Sequence, residues 1–239
     1  MEQKNKNISF LEHLEELRGR ILKVLGMMVV TSSFFYSFRE AAVAFLIKPV
    51  GKVYFLSPLE AFMGNLILSL WGGFFLALPF LLYQLWAFVL SGLTAAERRY
   101  VLILAPLSLI FFVGGGLFGY YLILPIMLKF CFSFSSAWLV PMITFQQYIG
   151  FVGVILFSFG LVFELPLILV FLTQIGVVTP EFLRQKRKFA VLWIFIASAV
   201  ATPPDVISQF LMAIPLLVLY EAGIILSSFI RRPSRTSND

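Results

Sequence analysis

No Asp, Glu, Lys or Arg occurs between residues 61 and 96, between 100 and 128, or between 130 and 163. Each stretch is longer than the ~20 residues a helix needs to cross ~30 Å of hydrocarbon. The chain therefore reads as an all-α polytopic membrane protein. Its composition agrees, with 60% hydrophobic, 17% aromatic and only 13% charged residues, against about 25% charge in a soluble domain.

Several function classes fall away. One cysteine, Cys131, allows neither an internal disulfide nor a thiolate metal site, and one histidine, His13, cannot supply a His cluster. No metal or cofactor is expected. There is no GxxxxGK[ST] loop, and Gly114-Gly115-Gly116 inside an apolar run reads as close helix packing. The formal charge of +6 reads as membrane topology and lipid contact rather than nucleic-acid binding. The N-terminus does not read as a cleavable signal, because acids precede a late first apolar run.

Six apolar spans can be drawn in one membrane domain covering 1–239, at about 21–38, 62–90, 100–124, 148–172, 189–201 and 206–230. Residues 1–20 form an amphipathic helix before them and 231–239 a tail after them. All but four of the 18 basic residues fall on the side of the N-terminus; the exceptions are Arg39, Lys48, Lys52 and Lys129. The positive-inside rule then places both termini in the cytoplasm. The fifth span, at about 20 Å of helix, is too short for the bilayer, and the fifth and sixth helices are expected to be short.

Helix starts carry the capping box, Ser or Thr followed three residues later by an acid or Gln. It occurs at Ser9/Glu12, Ser57/Glu60, Thr94/Glu97, Thr144/Gln147 and Thr202/Asp205. Thr179-Pro180-Glu181 marks a similar start, extending the fifth helix. Capping gives these acids a structural task. Glu97 stands out even so, because it sits beside Arg98 and Arg99 in a short loop on the basic side.

In SFLEHLEELRGR, Phe10, Leu14, Leu17 and Ile21 share one helix face, and Glu12, Glu15 and Glu16 line the other. Glu16 and Arg20 have i,i+4 spacing for an ion pair, yet an acidic helix over an anionic leaflet also suits a cationic partner. Caps cannot explain Glu164, which lies deep in the fourth span. A carboxylate at that depth costs on the order of 2.5–3.5 kcal/mol, so it is either protonated or facing a polar cavity. Pro166 beside it frees a backbone carbonyl one turn earlier.

Six segments in order carry a family resemblance: HLEELRGR at 13–20, LPFLLYQLWAF at 78–88, GLTAAERR at 92–99, FGYYLILP at 118–125, FELP at 163–166 and TPPDVISQ at 202–209. Together they resemble the TatC family, subunits of the twin-arginine protein translocase, along nearly the whole chain. The resemblance implies a non-enzymatic receptor in the cytoplasmic (inner) membrane. It would bind twin-arginine signal peptides of folded cargo and recruit single-span TatB- and TatA-type subunits. Export would be driven by the proton-motive force, and the receptor complex would be homo-oligomeric. By motif position it implies peptide-binding roles for Glu16, Arg18, Phe88, Glu97 and Arg99, and a membrane-buried acid at Glu164. On the outer side it implies Asp205 and Pro49, although the IKPVGK context of Pro49 departs from the family pattern. Two carboxylates at one interface suit two guanidinium groups, which pair carboxylates through a planar fork. The alternative from another class is a proton-coupled secondary transporter using Glu164, but few polar groups stand near that depth to build a midplane site.

Overall fold

The computed structural model describes residues 10–136, 138, 140–201 and 206–230. Asp205 and the turn it belongs to, 202–205, therefore lie outside the described residues, as do the 1–9 and 231–239 ends. The described chain is all-helical: α1 (Phe10–Tyr36), α2 (Arg39–Leu46), α3 (Pro58–Ser91), α4 (Ala95–Phe118), a π-helical turn (Gly119–Ile123), α5 (Leu124–Ser133), α6 (Phe145–Phe163), α7 (Leu165–Gln174), α8 (Pro180–Gln185), α9 (Arg187–Ala201) and α10 (Val206–Ile230). Four stretches are long and apolar enough to cross a membrane, 58–91, 97–133, 145–174 and 209–229. The bent pair α1–α2 makes a fifth if counted as one span.

Three differences from the sequence expectations have local causes. The amphipathic segment is not a separate helix, because α1 runs unbroken from it into the first apolar span. The chain then turns by 82° into α2. α8 and α9 are distinct, since the chain leaves the helical region at Lys186 before α9 begins. The last helix is not short: α10 has 25 residues, whereas α9 has 15, or roughly 22 Å at 1.5 Å per residue.

Two apolar clusters hold the bundle. One joins α3, the π turn, α5, α6 and α10 around Tyr148, Ile149, Phe159 and Ile224. The other joins α3, α4 and α7 around Leu78, Val101, Phe112 and Leu167. Where apolar attraction between helices is weak, as in lipid, small residues that let backbones approach matter more. Gly73 of α3 lies against Ser32 of α1, and the Thr31 hydroxyl donates to the Gly73 carbonyl at 2.8 Å. α2 is anchored through its C-terminal carbonyls, which a helix cannot pair internally. Phe45 O accepts from the Tyr120 hydroxyl at 2.7 Å, and Leu46 O from the Tyr148 hydroxyl at 2.6 Å.

The glycine triplet separates cleanly into packing and non-packing positions. A Cβ on Gly115 would stand 2.3 Å from the Phe159 carbonyl oxygen, while one on Gly114 meets nothing within 4 Å. Gly115→Ala is therefore expected to push α4 from α6 and to destabilise the protein by about 1–3 kcal/mol, as overpacking does. Gly114→Ala should be neutral or better. Thermal unfolding of the two variants in detergent measures the difference, and equal midpoints would refute the close α4–α6 contact.

Candidate functional site

At the end of the bundle that holds the start of α1, side chains from α1 and the last two turns of α3 form one polar network. Arg20 bonds Glu16 Oε1 through both Nε (3.0 Å) and Nη2 (2.6 Å). Its Nη1 donates to Gln84 Oε1 at 2.9 Å and its Nη2 also reaches the Ala87 carbonyl at 3.3 Å. Gln84 is buried in α3, so Arg20 pins the amphipathic part of α1 onto α3. The Arg20 guanidinium hydrogen-bonded to Glu16 is the chief reason its carboxyl lies below the usual carboxylate range. Glu16 is therefore charged throughout the physiological pH range. The i,i+4 pair read from the sequence is real, and it reaches well beyond its own helix.

His13 stacks on Phe88 with ring centroids 4.2 Å apart, and its Nδ1 lies 3.7 Å from Glu16 Oε2 and 3.5 Å from Ser91 Oγ. Beyond Ser91, α4 begins at the N-cap Thr94, whose N–H donates to Glu97 Oε2 at 2.9 Å. The capping reading of Glu97 is thus observed. Ser91, which His13 Nδ1 approaches, and Thr94, which Glu97 caps, are three residues apart, about 11 Å of chain at most. Arg18 and Arg99 are exposed, and Phe88 is half-buried under His13. Glu16, Arg18, Phe88, Glu97 and Arg99 thus share one end of the bundle. Arg187 and Glu221, paired at 2.7 Å, tie α9 to α10.

Glu164 sits at the break between α6 and α7. Pro166 has no N–H to give the carbonyl one turn back, and the Glu164 N–H bonds only Leu161 O at 3.1 Å. The side chain is 8% exposed, and its Oε1 finds no hydrogen-bond partner among the described residues. Two glycines keep helices close to this break: Gly115 of α4 lies against Phe159 and Phe163, and Gly223 of α10 against Pro166. An unpaired buried acceptor costs about 1–3 kcal/mol.

Pro49 follows α2 at the other end, lining a cavity with Lys48, Tyr121 and Lys129. Asp205 lies outside the described residues. Among the described residues no three His, Cys, Asp or Glu side chains gather as a metal site. Sequence reasoning missed Gln84 as the anchor of Arg20; the signal available was an amide inside a charge-free stretch.

Comparison with known proteins identifies the family. The family model for the Sec-independent protein translocase protein (TatC) matches residues 12–215. A Sec-independent protein translocase protein TatC of Desulforapulum autotrophicum is 40% identical over 232 residues, covering 94% of this chain and 86% of its own. That of Carboxydothermus hydrogenoformans is also 40% identical, covering 95% of this chain and 96% of its own. A crystal structure described as the twin arginine translocase receptor TatC superimposes with a TM-score of 0.82 at 35% identity, covering 92% of this chain and all (100%) of that one. With its apolar spans, its motif order and these relatives, the chain belongs to the TatC family of Sec-independent protein translocase proteins and is a multi-pass membrane protein.

Proposed function

We propose that the protein is a receptor subunit of a twin-arginine translocase and that Glu97 and Glu16 bind the two arginines of a signal peptide. What carries this is two fixed carboxylates at one end of the bundle, Glu16 held by Arg20 on α1 and Glu97 capping α4 just past the 91–94 turn, with Arg18, Arg98 and Arg99 beside them in sequence. The described bonds engage Oε2 of Glu97 and Oε1 of Glu16, and a carboxylate has about four acceptor positions. Each acid is held in place and keeps capacity for a guanidinium. Arg18 and Arg99 would repel a misplaced cation, and Phe88 with His13 offers an apolar wall for the peptide. Basic residues at this end support a cytoplasmic location in the inner membrane, with α9 as the shortened fifth of six crossings and both termini inside. Glu164 would meet a polar group on a single-span TatB- or TatA-type subunit, and Pro49 and Asp205 would act on the outer side. Membership of a translocase family leaves the solute-transporter alternative without support.

A photoreactive twin-arginine peptide, added to membranes containing the translocase, should label the 10–20 segment and the 92–99 loop. In the same membranes, cysteines at 96 and 185 should react from the cytoplasm and those at 55 and 135 from outside. Peptide labelling near 55 or 135, or outside reaction at 185, would sink both the receptor site and the topology.

A further inference from the structure

At the end of the bundle opposite Glu16, a cavity of about 400 Å³ opens between α2 and α5, within the range of ~300–1,000 Å³ usual for small-ligand sites. Its lining includes Lys48, Lys129, Tyr120 and Tyr121, with Pro125 and Phe132 among the apolar walls. Only four basic residues belong to this end by helix order, Arg39, Lys48, Lys52 and Lys129, and two of them line this one cavity. Lys129 is the first charge after the charge-free stretch 100–128, which places it where the hydrocarbon ends. Lys48 Nζ lies 5.3 Å from the centre of the Phe45 ring, and that ring stacks on Tyr120 at 4.8 Å. Phe45 and Tyr120 are fixed in turn by the bond from the Tyr120 hydroxyl to the Phe45 carbonyl. The described carboxylates of this end are engaged elsewhere: Glu40 lies 3.9 Å from Arg39, and Glu60 accepts from the Leu56 N–H at 2.8 Å. Tyr121, 64% exposed, forms the wall turned away from the bundle. Phe45 also lines a second cavity of about 270 Å³ walled by apolar residues of α1, α3 and α6.

We propose that this cavity binds the headgroup phosphate of an anionic phospholipid, with Lys48 and Lys129 as its cationic contacts. A phosphate at the membrane edge carries the charge that two ammonium groups lack. Its acyl chains would continue along the apolar walls, which a free phosphate would leave empty. Basic pockets between membrane helices on the cytoplasmic side hold lipid headgroups, and the same charge pairing would operate at this opposite end. The proposal does not depend on the receptor reading; it needs only a chain that spans a bilayer.

Native mass spectrometry of the purified protein, titrated with phosphatidylglycerol or phosphatidylcholine, tests it. Lys129→Gln should weaken phosphatidylglycerol binding about fivefold and Lys48→Gln with Lys129→Gln about thirtyfold, from the usual contribution of a lysine at a lipid surface. Lys52→Gln, which removes a charge at the same end outside the cavity, should leave binding unchanged. Circular dichroism on each variant confirms the fold, which these exposed lysines do not support. Unaltered binding by the double variant, or an equal loss from Lys52→Gln, overturns the site. So does equal retention of phosphatidylcholine, or displacement of the lipid by millimolar inorganic phosphate. Displacement by a poly-glutamate peptide whose binding also falls with Lys129→Gln would assign the cavity to a protein partner and overturn the lipid reading.

Discussion

Glu97→Gln is expected to weaken binding of a twin-arginine peptide by about ten- to a hundredfold, because a hydrogen bond to a charged group contributes about 1.5–3 kcal/mol. Glutamine accepts the Thr94 N–H as glutamate does, so α4 should start at the same residue and unfold at the same temperature. Charge and cap are thereby separated at a single position. Changing the peptide's arginines to lysines should also weaken binding to the unaltered protein, since lysine cannot form the bidentate fork. Fluorescence anisotropy of a labelled peptide reads both. If Glu97→Gln binds the arginine and lysine peptides as the parent does, the carboxylate serves the helix alone and the receptor site lies elsewhere.

Glu164→Leu should move stability and function in opposite directions. Leucine removes the unpaired Oε1 and should make the isolated protein more stable by about 1–3 kcal/mol, seen as a higher midpoint in detergent. The same change should abolish export and capture of single-span partners, because it deletes the polar group they would meet. Glu164→Gln keeps that group and should retain partner capture. A residue kept for packing alone would lose stability on substitution and leave export intact. Full export with leucine at 164 would remove the residue from the mechanism.

The local features of this chain were legible because each is settled within one turn. Ser57 accepts from Glu60 N, Thr179 from Phe182 N, and Thr94 pairs with Glu97, all as the spacing required. Thr144 departs from the pattern: it is the N-cap of α6 but makes no side-chain cap bond, while the Phe145 N–H beside it goes to the Tyr54 carbonyl at 2.6 Å. At Glu164 the sequence showed only the carbonyl freed by Pro166 within a span drawn unbroken over 148–172, whereas the structure divides it into α6 and α7. What stayed hidden depends on distant residues. α2 is eight residues long, too short to announce itself by periodicity, and the tyrosines that hold it lie 75 and 102 positions away from their acceptors. Arg20 meets Gln84 across 64 positions. The π turn at 119–123 gives no local sign either, being an uninterrupted apolar run. Of the site, the acids were visible as charges out of place, but the surface that fixes them was not.

The brevity of α9 has a mechanical consequence for the surrounding lipid. On the six-crossing reading proposed above, a helix about 22 Å long beside hydrocarbon ~30 Å thick would force the adjoining leaflets to dimple inward, at a fraction of a kcal/mol per Å of mismatch. The elastic energy of that dimple grows with its perimeter. Two copies standing with their α9 faces together enclose one dimple where they had made two, and the shared rim is shorter. The bilayer would then draw them together much as a curved water surface gathers floating grains, and this attraction would need no complementary side chains at the line of contact.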